Sequence, residues 1–157
     1  MVTPRSRRET LSDHECCTLY QGRGVHLSKV RVLLADDNIQ ILEYVRDFLA
    51  TNCCEVVGAV SDGQAAVGAT AKLLPDVVVL DLSMPVLNGI EAAKQIQKAN
   101  ASTGIVILTV EKDPDTCRAA LEAGACGYVL KPRLATDLIP AIELAKDGRR
   151  FVSPGCE

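Results

Sequence analysis

The pattern of apolar and polar positions changes character at Lys29. Ahead of it, residues 1–28 lack periodicity and contain Gly22 and Gly24, which predicts a flexible N-terminal extension. Beyond it, short apolar runs alternate with amphipathic stretches of helical period. Val30 to Ala35 predicts a first strand, ending in Asp36 and Asp37. In the next segment Ile41, Leu42, Val45, Phe48 and Leu49 share one helical face. Residues 55–60 predict a second strand. Ser61, Asp62 and Gly63 then form a turn and cap for an alanine-rich helix that runs to Leu74 and stops before Pro75. Val77 to Leu80 is a β-branched run without alternation, so it predicts a strand covered on both faces. Asn88 and Gly89 open a third helix with Ile90, Ala93 and Ile96 inward. Residues 105–108 predict a fourth strand ending at Thr109, and Asp113 with Pro114 starts a fourth helix. Gly127 to Leu130 predicts a fifth strand, closed by Lys131 and Pro132. Thr136 is predicted to cap the last helix, which turns Leu138, Ile142 and Ala145 inward up to Gly148. Pro140 is read as close enough to its first turn to be tolerated.

Five strand–helix alternations imply an α/β domain with a parallel sheet, right-handed crossovers and helices on both faces. In such doubly wound sheets, sites form outside the carboxyl ends of the strands. Asp36, Asp37, Asp81, Thr109 and Lys131 all follow or close predicted strands, so they are expected to converge on one rim. A carboxylate placed where a buried strand breaks surface costs free energy unless something nearby compensates it.

Composition narrows the function classes. A chain of 157 residues suits one domain with a full core, and 48% apolar residues with only 3% aromatics make that core aliphatic. The formal net charge of -3 supplies no global attraction to nucleic acid or an anionic membrane, so DNA binding by this chain alone is disfavoured. No apolar stretch approaches the about 20 residues that span a bilayer, and none follows Arg5, Arg7 and Arg8 to make a secretion signal. The chain therefore reads as cytoplasmic, with no membrane partner. Seven cysteines, an odd number with two adjacent pairs, fit a reducing compartment, with Cys54, Cys117 and Cys126 as small buried hydrophobes. His14, Cys16, Cys17 and His26 match no familiar metal-ligand spacing.

Three carboxylates brought together repel one another unless a cation joins them. An oxygen-only donor set suits a hard divalent ion such as Mg²⁺. Lys131 adds a compact positive charge and Thr109 a hydroxyl donor, a set that fits an anionic, oxygen-rich phosphoryl group. One carboxylate can then act as nucleophile and form an acyl phosphate.

The segments "LLADDN", "VVVLDLSMP", "NGIE", "ILTV" and "GYVLKP" occur in the order and spacing of a response regulator receiver domain, and the resemblance covers residues 29 to 148. It implies a CheY-like, flavodoxin-like (βα)5 fold, a doubly wound five-stranded parallel sheet in strand order 2-1-3-4-5. It implies Asp81 as phosphoacceptor, supplied by a sensor histidine kinase. Mg²⁺ would be held by Asp36, Asp37, Asp81 and the backbone carbonyl of Ser83. Lys131 would pair with the phosphoryl group, and its bond to Pro132 would be cis. Thr109 and Tyr128 would switch with it, biasing a surface of the fourth helix, fifth strand and fifth helix. Homodimers would use that surface or the first and fifth helices. The ending "AIELAKDGRRFVSPGCE" resembles the NarL/FixJ type, where a linker and a helix-turn-helix output domain normally follow. Residues 149–157 are accordingly read as a tail or the start of a linker. Val110 stands where the family usually has a smaller residue, and its bulk is expected to lengthen the life of the acyl phosphate.

These readings make the chain a signalling switch that controls transcription through an output domain this sequence does not contain, not an enzyme beyond its own phosphoryl chemistry. The alternative within the family is a free-standing receiver or phosphorelay intermediate acting by protein binding. A dehalogenase-type phosphatase wants a second Asp two positions after the nucleophile, where this chain has Ser83. A pseudo-receiver that only docks proteins is disfavoured by the intact acidic set. Dinucleotide binding is excluded, since no Gly-x-Gly-x-x-Gly follows the first strand.

Overall fold

The computed structural model describes residues 29–156. The expectations for residues 1–28, including the residues around His14 and Cys16, lie outside that range. In chain order the elements are β1 (Val30–Ala35), α1 (Ile39–Ala50), β2 (Cys54–Val60), α2 (Gly63–Leu73), β3 (Val77–Leu80), α3 (Gly89–Ala99), β4 (Gly104–Thr109), α4 (Pro114–Glu122), β5 (Gly127–Leu130), a 3₁₀ turn (Lys131–Arg133), α5 (Leu134–Lys146) and β6 (Phe151–Val152). Every ladder is parallel, and the sheet order is β2-β1-β3-β4-β5-β6.

Successive strand residues point to opposite faces, and here both faces are covered. Leu33, Ala35, Val78, Leu80, Ile105, Ile107, Tyr128 and Leu130 pack with α2, α3 and α4. Val32, Leu34, Val77, Val79, Val106, Leu108 and Val129 pack with α1 and α5. Two-sided burial explains why these strands read as continuous apolar runs. Each fully buried Leu or Ile contributes about 1.5–3 kcal/mol, so the aliphatic core does not need the aromatics that the chain lacks.

Four helices start at side-chain caps, three of them at residues read as starts from the sequence and the first at Asn38, which was not. Asn38, Asp62, Asn88 and Asp113 each accept a backbone N–H of the first turn, and Pro114 sits at the start of α4. These caps set the loops at the carboxyl ends of β1 to β4, the rim on which the acidic residues lie. Among the described residues no helix is long and apolar enough to cross a membrane.

Four expectations need correction. The sheet has six strands, because residues 149–157 are not simply a tail. Phe151 and Val152 pair with Gly127 and Tyr128, covering the edge of β5. The last helix begins at Leu134, without a side-chain cap. The 3₁₀ turn runs directly into it, leaving Thr136 inside the first turn, where its hydroxyl meets the Arg133 carbonyl at 3.2 Å. Pro140 consequently lies mid-helix rather than near the first turn. Finally, no described peptide bond is cis, so Lys131–Pro132 is trans. Pro132 takes an early position of the 3₁₀ turn, which its fixed φ suits.

Candidate functional site at the carboxyl rim of the sheet

β1 and β3 are neighbours, with Ala35 opposite Leu80. The next residues on the two strands are Asp36 and Asp81. The Asp81 N–H donates to the Ala35 carbonyl at 2.9 Å, so the ladder extends one step and holds the two acidic residues side by side. Asp37 follows on the exposed loop. One carboxylate oxygen each from Asp36, Asp37 and Asp81 lie within 4.8 Å of one another. Asp36 and Asp81 are buried, while Asp37 faces solvent.

Lys131 leaves the end of β5, two strand spacings or about 10 Å from β3. Its ammonium nevertheless reaches Asp36 Oδ2 at 2.9 Å and Asp81 Oδ1 at 3.4 Å. Burial works against the charged ammonium, but the hydrogen bond to Asp36 and the charge of Asp81 outweigh it and hold Lys131 above its ordinary pKa. Asp81 behaves oppositely to a simple ion-pair partner. Burial, then the charge of Asp36, push its carboxyl above the usual range despite Lys131. One ammonium therefore does not neutralise this cluster. An all-oxygen donor set with excess negative charge is the kind a hard divalent cation fits.

The loop after β3 is fitted closely around Asp81. A Cβ at Gly89 would collide with the Asp81 carbonyl, so only glycine allows α3 to start there. Ser83 is exposed in the same loop, two residues past Asp81. Farther along, Val86 adopts φ 70° and is 79% exposed, and the Leu87 N–H donates to the Pro85 carbonyl at 2.7 Å across it.

Thr109 ends β4 and is buried; its hydroxyl accepts the Glu111 N–H at 3.2 Å. Tyr128 is fully buried. Its hydroxyl donates to the Glu111 carbonyl at 2.8 Å. Burial, then the nearby Cys117 and Cys156 side chains, push the phenol well above its ordinary pKa. Val110 is 69% exposed at the rim.

The family description "Response regulator receiver domain" matches residues 32–143. The chain belongs to this family. Its receiver domain is 41% identical over 115 residues to the transcriptional regulatory protein PdtaR of Mycobacterium tuberculosis, covering 73% of this chain and 56% of that protein. Among solved structures, a LuxR-family two-component response regulator from Aurantimonas sp. SI85-9A1 aligns with TM-score 0.77 at 34% identity, over 81% of this chain and 91% of that one. The isolated REC domain of RcsB from Salmonella enterica, in the presence of phosphomimetic BeF3-, aligns with TM-score 0.73 at 31% identity, over 82% and 96%. The chain spans little more than half the length of the curated relatives it matches.

The receiver rim thus unites Asp36, Asp37, Asp81 and Lys131, while Thr109 and Tyr128 both bond to the main chain of Glu111. Sequence reasoning missed Glu111, because a backbone bridge leaves no side-chain signature. It also missed Ser153 and Asp137, both buried and polar. Asp137 carried one faint signal, an acidic residue four positions after Arg133 on a helix.

Proposed function

We propose that this receiver domain accepts a phosphoryl group on Asp81 from a phosphohistidine of a sensor histidine kinase. An Asp81 carboxylate oxygen attacks phosphorus, a P–O bond forms, the donor P–N bond breaks, and the imidazole leaves with its electron pair to take a proton. The observation that carries this reading is the Lys131 ammonium held between Asp36 and Asp81 on the rim. Lys131 is placed to stabilise charge that develops on the transferring oxygens.

Asp36, Asp37, Asp81 and the Ser83 carbonyl would hold Mg²⁺, whose chemistry when bound is to offset the negative charge of carboxylates and phosphoryl oxygens. Thr109 would follow the phosphoryl group, with Tyr128 responding through Glu111. The result is a population shift on the face of α4, β5 and α5, limited by how differently the two states hold the phosphoryl group. The names of PdtaR and the LuxR-family neighbour support an output in transcription, exerted through a separate DNA-binding domain in a cytoplasmic protein. Self-association through the same face, or through α1 and α5, would accompany it.

Intact mass after incubation with acetyl phosphate and Mg²⁺ tests the reading. One phosphoryl adduct per chain is expected, and none on Asp81→Ala or after chelation. An adduct of equal yield on Asp81→Ala would overturn the assignment.

A further inference from the structure

The 3₁₀ turn that carries Lys131 is bonded at both ends to one pair of buried residues, Asp137 on the helix that follows it and Ser153 beyond that helix. At its start, the Leu130 N–H donates to Ser153 Oγ at 3.1 Å. At its end, the Arg133 guanidinium donates to Asp137 at 2.7 Å and 3.2 Å. Ser153 Oγ closes the ring by donating to Asp137 Oδ2 at 2.6 Å. Ser153 is 0% and Asp137 4% exposed, so the Leu130–Ser153 and Ser153–Asp137 bonds are made where water does not compete, while the Arg133 guanidinium reaches Asp137 from a partly exposed position. Burial alone would raise the Asp137 pKa, yet the hydrogen bonds from Arg133, Ser153 and Thr136 hold it below the usual range.

Ser153 belongs to the segment that adds β6 to the sheet. The Phe151 N–H donates to the Cys126 carbonyl at 3.0 Å and the Ser153 N–H to the Tyr128 carbonyl at 2.8 Å. Its hydroxyl then substitutes for the next rung of the ladder, and Pro154 ends the pairing. Three residues on, Cys156 is buried in the cluster that contains Tyr128. The same short segment therefore touches the turn that aims Lys131 and the pocket of the tyrosine.

We propose that the Ser153–Asp137 pair is a latch by which β6 opposes occupancy of the Asp81 site, so that a phosphoryl group on Asp81 loosens β6. This rests on the reading of Asp81 as phosphoacceptor. In the latched arrangement Lys131 reaches the carboxylates of Asp36 and Asp81. A phosphoryl group moves the anionic oxygens outward by a bond or two, and the Lys131 ammonium moves with them together with the turn that carries it. That turn is held at Leu130 by the Ser153 hydroxyl and at Arg133 by the Asp137 carboxylate, so its movement strains these bonds. Ser153 and Asp137 are thus positioning residues, acting through the main chain of residues 130–133. Linkage makes the effect reciprocal: whatever frees β6 must tighten the site for its anionic ligand by the same factor.

Beryllium fluoride with Mg²⁺, a stand-in for the phosphoryl group, tests this on the full chain. Hydrogen exchange at Leu130, Phe151 and Ser153 is expected to quicken at least about fivefold on its addition. Ser153→Ala and Asp137→Asn are each expected to bind beryllium fluoride several-fold more tightly than the parent, a gain that mere structural damage would not produce. Unchanged exchange in the parent with the site saturated, or weaker binding by folded variants, would overturn the latch. Because the exchange measurement uses the parent chain, it decides even where a variant does not fold. Failure of the parent to bind beryllium fluoride, together with no adduct from acetyl phosphate, would instead overturn the reading of Asp81 itself and the latch with it.

Discussion

The Tyr128 hydroxyl donates to the carbonyl of Glu111, 17 positions earlier in the chain, at 2.8 Å. The N–H of that residue donates to the Thr109 hydroxyl, so one residue's main chain joins the end of β4 to the aromatic of β5. A movement of Thr109 toward a ligand at Asp81 would have to re-pair Glu111, and Tyr128 with it.

Tyr128→Phe leaves the Glu111 carbonyl without that donor and is expected to cost about 1 kcal/mol by urea titration. Phosphoryl acceptance by intact mass should stay within about threefold, since the Tyr128 hydroxyl is bonded to the main chain of Glu111. The phenol ionises at higher pH in the fold than in the unfolded chain, so the unfolded state releases its proton first above about pH 10. Parent stability should therefore fall more steeply there than that of the variant. Equal slopes would argue against a buried phenol.

The Asp81 carboxyl has a folded pKa raised above its unfolded value, chiefly by burial and by Asp36. Between those two values the fold binds more protons than the unfolded chain. Stability is thus fully present below about pH 3.9 and is lost as pH rises through the raised folded value. At neutral pH the charge is a cost. Asp81→Asn in chelator should raise Tm by about 4 °C, the shift that about 1 kcal/mol produces in a domain of this size. Added Mg²⁺ should stabilise the parent more than the variant. A lower Tm for Asp81→Asn in chelator would refute the sign.

Gly89→Ala places a methyl group against the Asp81 carbonyl. The loop must shift to admit it, with a cost of about 1–3 kcal/mol. Phosphoryl acceptance should slow at least about tenfold, because the displaced main chain is that of Asp81, the proposed acceptor. A wild-type rate would show that the loop yields freely.

Val86 holds φ 70°, a conformation that costs a β-branched residue about 1–3 kcal/mol. Its side chain is 79% exposed and contributes little packing. Val86→Gly is expected to stabilise the domain by about 1 kcal/mol after the added freedom of the unfolded chain is subtracted. Thermal melts check it, and a destabilised variant would show that the backbone is relaxed there.

Val110 borders Thr109 at the rim. Val110→Ala should shorten the life of the Asp81 adduct several-fold if the larger side chain restricts water, as followed by loss of the phosphoryl mass after removal of donor. An unchanged lifetime would assign that control elsewhere.

Periodicity and strand-end chemistry made most of this domain readable without coordinates. Continuous β-branched runs such as Val77 to Leu80 announce two-sided burial, and a parallel sheet brings strand ends to one rim. Asp36, Asp81 and Lys131 therefore met as expected. Among the described residues, four of the five α-helices start at a local cap that depends on residues only two or three apart, and three of those starts were read from the sequence. The fifth helix has no such cap, because the 3₁₀ turn after Lys131 supplies its entry in place of a side chain. β6 has two residues, too few to show a period, and its partner strand lies more than twenty positions back.

From the residues alone came the alternation of elements, the two-faced core and the set of charges at the rim, since each rests on contacts of short range or on a rule of parallel sheets. Only the folded chain decided where the segment after α5 returns, and hence that Ser153 reaches Asp137 and closes the edge of β5. Hydrogen bonds between distant residues depend on the path of everything between them. That path is set by packing of the whole core, which no local pattern encodes.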